Sequence, residues 1–218
     1  MSVSRMARYL NACAGDTRKA MTLYRLNLRL SQEFFTVISC FEVCLRNRIC
    51  AHYLPRLGAD WLNDSAIQGG IFDNQATWRT QKIINDTVAR LGSRYTHNKL
   101  MAEMDFGFWR YLFAGPQFRA GGQTLLAIFP AKTASSPAIQ YNQTYVFNQL
   151  AQINELRNRI AHHEPICFSR GFQVKDTRFA RQQYSLILQL FQWMQINESA
   201  LLYGLDHISD ICNKIDTL

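Results

Sequence analysis

The sequence predicts an all-α protein, and three observations carry that prediction. Apolar residues recur at helical spacing over three long stretches, about 32–54, 141–163 and 177–202. No run alternates apolar and polar residues for long enough to form a strand. Glycine, proline and small polar residues collect between the periodic stretches, around 55–70, 115–140 and 166–176. With 218 residues, 48% of them hydrophobic and 18% charged, the chain suits a single domain with a substantial core.

Taken in order, residues 1–15 predict a short helical lead-in that ends at Gly15. Asp16 is placed to cap a helix from Thr17 to about Arg29, and Ser31 to cap the next one. That next helix runs to Leu54 with the stripe Phe34, Ile38, Phe41, Leu45, Ile49 and His52, and Pro55 is expected to end it. Pro55 to Gly70 reads as a loop with one helical turn at Trp61-Leu62. Asp73 is expected to cap a helix that Gly92 stops, with Arg79, Lys82 and Arg90 on its exposed side. A further helix covers about Asn98 to Ala114, kinked at Asp105-Phe106-Gly107, and its aromatics Phe106, Phe108, Trp109, Tyr111 and Phe113 read as core. Within the irregular stretch 115–140, Leu125 to Phe129 suggests a short buried turn. The last helix, Thr177 to Leu202, reads as apolar on most sides through Leu186, Ile187, Leu190, Phe191, Trp193 and Met194.

The charge balance narrows the partners. A net charge of +8 implies an anionic partner, with nucleic acid ahead of a membrane surface because no lysine-rich amphipathic tail is present. The six cysteines, at 13, 40, 44, 50, 167 and 212, form no C-x-x-C pair. They read as small buried hydrophobes in a reducing compartment, so neither a zinc site, another cofactor nor a disulfide framework is expected. No signal-peptide pattern opens the chain and no window has the apolar length of a membrane span, which predicts a cytoplasmic location.

The most informative stretch is Arg157-Asn158-Arg159-Ile160-Ala161-His162-His163-Glu164-Pro165. It closes the helix that begins near Tyr141, whose stripe reads Val146, Leu150, Ile153, then Arg157 where a hydrophobe is due, then Ile160. A guanidinium on a buried stripe is costly unless paired or facing a wet cleft. His162 and His163 are expected in the last helical turn, since a residue before proline leaves the α region. Asn158 and His162 are four apart and share a face, with Glu155 extending the row, whereas Arg157 lies roughly 140° round the helix from His162. That separation suggests a site shared with another helix or another subunit. The plain alternative is a structural ion pair from Arg157 to Glu42 or Glu164, with the histidines merely capping the helix. A second pair, Arg46-Asn47 followed by His52, reads as a helix ion pair from Glu42 to Arg46 beside a core histidine with a satisfied partner.

Arg157-Asn158 followed four residues later by His162 resembles the R-x4-6-H signature of the HEPN superfamily. The full run is similar to the form found in Abi-like (abortive infection) proteins. Two further blocks resemble that family in order: Leu23 to Ile49, and Met104 to Phe113 with its FGFW core. The resemblance implies a single-domain HEPN-like helical bundle. It also implies an endoribonuclease toxin of phage defence that works as a homodimer and is restrained by an inhibitory RNA or a protein antitoxin. It places Glu42, Arg46 and Asn47 beside the active helix as supporting or RNA-contacting residues. Some HEPN domains are catalytically silent and only bind RNA or act as scaffolds, which is the rival reading.

The residues themselves support metal-free RNA cleavage. RNA carries its own nucleophile, the 2′-hydroxyl, so the protein must supply a base, an acid for the leaving 5′-oxygen and a cation beside the phosphorane. His162 fits the first role or the second, His163 the other, and Arg157 fits bidentate phosphate binding. Asn158 is placed to orient the imidazole or the ribose, with Glu164 in support. No carboxylate cluster has metal-binding spacing, which argues against a two-metal nuclease.

Overall fold

The computed structural model describes residues 3–169 and 172–218. It is all-α: eleven α-helices and two short 3-10 turns, with one isolated β-bridge between Phe168 and Lys175 and no strand among the described residues. The helices are α1 (Val3–Ala12), α2 (Thr17–Leu57), α3 (Trp61–Asp64), α4 (Trp78–Leu91), α5 (His97–Glu103), α6 (Phe106–Tyr111), α7 (Gly115–Ala120), α8 (Gln143–Ala161), α9 (Arg178–Trp193), α10 (Glu198–Leu201) and α11 (Ile208–Asp216). They fall into two compact units. The first comprises Met1–Phe41, Glu155–Gln192 and Asn197–Leu218, and the second Glu42–Asn154 and Trp193–Ile196.

Helix α2 replaces the two helices expected at 17–29 and 32–54. Asp16 does cap it, accepting from the Lys19 amide at 3.0 Å. Ser31 caps nothing, because no glycine or proline interrupts the chain before Pro55 and the apolar stripe is continuous. Leu23, Leu30, Phe34, Val37, Phe41, Leu45 and Ile49 are all fully buried. Pro55 sits inside the last turn, and the helix runs two residues beyond it. At the far end of the stripe Tyr53, not His52, fills the core, with burial pushing its hydroxyl pKa up to about 12. His52 is half-buried with Nε2 3.0 Å from the Thr124 hydroxyl. Burial, helped by the charge of Arg56, lowers its proton affinity below the usual histidine value.

In the second unit α4 starts at Trp78, not at Asp73. Asp73 is engaged earlier, accepting from the Gly69 amide at 2.9 Å and from the Gln81 side chain. The helix expected at 98–114 is two helices. Met104 is extended between them, and Asp105 caps α6 by accepting from the Phe108 amide at 2.7 Å. Phe106, Phe108, Trp109 and Phe113 are core, but Tyr111 is half-exposed. Leu125–Ile128 forms the expected short buried turn.

In the first unit, Phe41 meets Phe191 edge to face at 5.2 Å between ring centres, and Tyr9 packs on Phe168 at 5.1 Å. The last helical stretch is also shorter than expected. It breaks after Trp193, where Gln195 takes a positive φ of 55°, and two further helices follow. Helix α9 is amphipathic, not apolar all round: Gln182, Ser185, Gln189 and Gln192 face solvent opposite a buried Ile187, Leu190 and Phe191.

Candidate functional site

The site is built at the C-terminal end of α8, within the first unit. Val146, Leu150, Ile153, Leu156 and Ile160 are buried along the helix. Arg157 falls at the angular position of this stripe but is only half-buried, because Leu156 beside it takes up the core contact. The guanidinium of Arg157 makes no hydrogen bond or ion pair with any of the described residues. The expected structural pairing to Glu164 is therefore not made.

Arg159 takes the structural role instead. Its guanidinium donates to the Pro165 carbonyl at 2.9 Å, approaches Glu164 at 3.4 Å and lies over the Phe179 ring at 4.8 Å. Only 16% of its side chain is exposed, so these contacts fix it. Of the two arginines in Arg157-Asn158-Arg159, Arg159 ties the helix end to the connection beyond it, and Arg157 makes no such tie to the described residues.

The helix ends two residues earlier than the histidines require. The last helical residue is Ala161, and His162 closes the turn with its amide donating to the Asn158 carbonyl at 2.9 Å. His163 lies beyond the helix with φ at 56°, in the left-handed region. Its amide donates to Ile160 O at 2.9 Å, and the Glu164 amide reaches back to Arg159 O at 2.8 Å. This pair of bonds is a Schellman cap, with a histidine where glycine is usual. The hydrophobic contact that often joins the two ends of such a cap is here the Arg159–Glu164 ion pair. Asn158, His162, His163 and Glu164 are all exposed. The Asn158 amide does not hold the His162 ring, and neither side chain bonds to another described residue.

Beyond the cap, the connection at Ile166-Cys167 is anchored by a residue outside the motif. The buried Asn27 side chain accepts from the Ile166 amide at 2.9 Å and the Cys167 amide at 3.2 Å. Sequence reasoning missed it, although a signal was available: Asn27 sits four after Leu23 and three before Leu30, an amide where the stripe calls for a hydrophobe. Burial pushes the Cys167 thiol up to about 12, so it serves as core. Arg170, in the same connection, lies outside the described residues, while Lys175 donates to Ile215 O at 3.2 Å.

The second Arg-Asn block lies on α2 in the second unit and repeats this division of labour. Arg48 donates to the Met194 carbonyl at 2.8 Å and Ile49 is fully buried, as Arg159 bonds Pro165 and Ile160 is covered. Asn47 is exposed, and Glu42 and Arg46 are half-buried. The expected Glu42–Arg46 ion pair does not form, since Arg46 bonds to none of the described residues. Among the described residues, no group of three or more His, Cys, Asp or Glu side chains could hold a metal ion. No helix among them is long and apolar enough to cross a membrane.

A helix that ends in an arginine unpaired among the described residues, an exposed amide and an exposed imidazole has side chains of the kinds that can grip a phosphate and move a proton. The Abi-like protein family model matches residues 8–167, and the chain belongs to that family. Neither a curated protein nor a solved structure matches it.

Proposed function

We propose that this chain is a metal-independent endoribonuclease of the HEPN type, acting as a toxin in abortive infection, a bacterial defence against phage. Membership of the Abi-like family supports the defence role. The observation that carries the chemistry is the split between the two arginines: Arg159 is tied into the fold, whereas Arg157 is half-buried and has no partner among the described residues, beside an exposed Asn158 and His162. Arg157 grips the scissile phosphate through a bidentate pair of hydrogen bonds. His162 takes the proton of the 2′-hydroxyl or gives one to the leaving 5′-oxygen. The products are a 2′,3′-cyclic phosphate and a 5′-hydroxyl end. Because Arg157 and His162 diverge by roughly 140° on one helix, a homodimer that presents two such helix ends supplies the remaining group. Arg46 and Asn47 are further RNA contacts, and an inhibitory RNA or protein antitoxin restrains the enzyme in its host.

One observation favours the rival reading of a silent RNA-binding or scaffold domain: nothing among the described residues orients the His162 ring. Cleavage of single-stranded RNA decides between them. Arg157→Ala or His162→Ala lowers the rate about 10²–10⁴-fold, and EDTA leaves the wild-type rate unchanged. A folded double variant that cut RNA at the wild-type rate would sink the nuclease and leave the binding module.

A further inference from the structure

The second unit carries a cleft of about 780 Å³, in the size range of sites that hold small ligands. Trp78 and Ile83 of α4 form one wall, Phe108 and Tyr111 of α6 the other, and Thr80 and Gln117 lie at its floor. Three of these wall residues are exposed to an extent unusual for their size: Trp78 by 50%, Tyr111 by 50% and Ile83 by 47%. The floor pair is buried and polar, with the Gln117 amide donating to the Thr80 hydroxyl at 3.0 Å.

The charges around the cleft separate into spent and unspent. Arg90 is met by Glu103 at 2.7 Å, and the Asp105 carboxylate caps α6. Arg79 has no carboxylate partner among the described residues and lies 5.4 Å over the Trp78 ring. Arg110, by contrast, is held between two rings, Phe147 at 4.1 Å and Tyr111 at 5.2 Å. The cleft therefore presents two half-exposed rings, Trp78 and Tyr111, and one guanidinium, Arg79, without a carboxylate partner among the described residues. An apolar helix laid into this groove would strip water from Arg79 and give it no partner, which is costly. A nucleotide gives the rings a base to stack on, the floor amide a base edge to bond and Arg79 a phosphate.

We propose that this cleft is a stacking site for unpaired bases of single-stranded RNA, a contact separate from the Arg157 helix end. Its identification with substrate rests on the nuclease reading, but binding itself does not. The chain brings its own probe, because Trp61, Trp109 and Trp193 are buried and only Trp78 is open to a quencher.

The test is a fluorescence titration of the full chain with a short 2′-O-methyl oligouridylate, which cannot be cleaved through the 2′-oxygen, and with an abasic oligomer of equal length. The base-bearing oligomer quenches saturably and binds at least about tenfold tighter than the abasic one. Trp78→Leu with Tyr111→Leu keeps apolar cover over the cleft and weakens binding by the same factor, read by anisotropy of a labelled oligomer. Equal affinity for the two oligomers, or an unchanged affinity of the double variant, overturns the site even if wild-type RNA cleavage persists. Base-dependent quenching without cleavage keeps the site and refutes the nuclease. A double variant that loses self-association in sedimentation while binding RNA normally would also overturn it, assigning the cleft to a second copy of the chain.

Discussion

Replacing Arg159 with alanine and, separately, Arg157 with alanine should give opposite results, and the sizes can be worked from the contacts. Arg159→Ala removes a charged hydrogen bond to Pro165 O at 2.9 Å, worth about 1.5–3 kcal/mol. It also removes a guanidinium from the Phe179 ring at 4.8 Å, worth about 0.5–1 kcal/mol. The Glu164 pair adds little, since that carboxylate is 57% exposed and screened by solvent. Allowing for overlap among contacts of one side chain, the loss is about 2–4 kcal/mol. At about 2–4 °C per kcal/mol for a chain of this length, the melting temperature should fall by about 5–15 °C. Arg157→Ala breaks no hydrogen bond or ion pair to the described residues and should cost below about 1 kcal/mol, mostly from its apolar stem. Arg157→Lys keeps the stem and the charge, yet loses the planar fork, and should lose RNA cleavage at wild-type stability. Scanning calorimetry beside a cleavage assay reads both. If Arg157→Ala lowered the melting temperature as far as Arg159→Ala, the assignment of one arginine to the fold and the other to a ligand would be refuted.

Three further outcomes are expected. His163→Gly should raise stability by about 1 kcal/mol, because glycine meets φ of 56° without strain, and cleavage should persist; a destabilised variant would contradict the cap. Asn27→Leu leaves the Ile166 and Cys167 amides without their acceptor at about 1–3 kcal/mol each, so denaturant melts should show a loss of about 2–6 kcal/mol. Asp176 is held far below the usual carboxyl range by hydrogen bonds from Arg178, with Ser169 adding another. Its folded pKa is depressed, so the stabilisation is complete above the ordinary value of 3.8 and fades as pH falls below it. Asp176→Asn should therefore be less stable than wild type at neutral pH, and the gap should close in acid titrations below that value.

The helical class was legible because stripes such as Phe34, Phe41, Leu45 and Ile49 repeat with a period that only a helix satisfies. Boundaries were less legible. Ser31 and Asp73 are good capping residues by type, but capping needs a chain that is already turning. Ser31 lies inside an unbroken stripe, and Asp73 is engaged by the Gly69 amide and Gln81. The break after Trp193 depends on Gln195 taking a left-handed turn, which no glycine announces. At the candidate site, the motif named Arg157, Asn158 and His162 from spacing alone. It could not say which arginine of the pair is tied down, because that depends on where Pro165 and Phe179 fall after the chain turns.

The left-handed residue at the end of α8 also bears on how substitutions there should be read. Position 163 answers to the handedness of the backbone, which histidine, asparagine and glycine tolerate and which valine or isoleucine resist. Two adjacent histidines can thus arise from two unrelated demands, one for a titratable ring at 162 and one for a tight reversal at 163. A saturation library at 163 scored for folding should be rich in small, polar and flexible residues, while the same library at 162 scored for toxicity should collapse onto histidine. The doubled imidazole would then be a coincidence of neighbours, with only its first member held in place by chemistry.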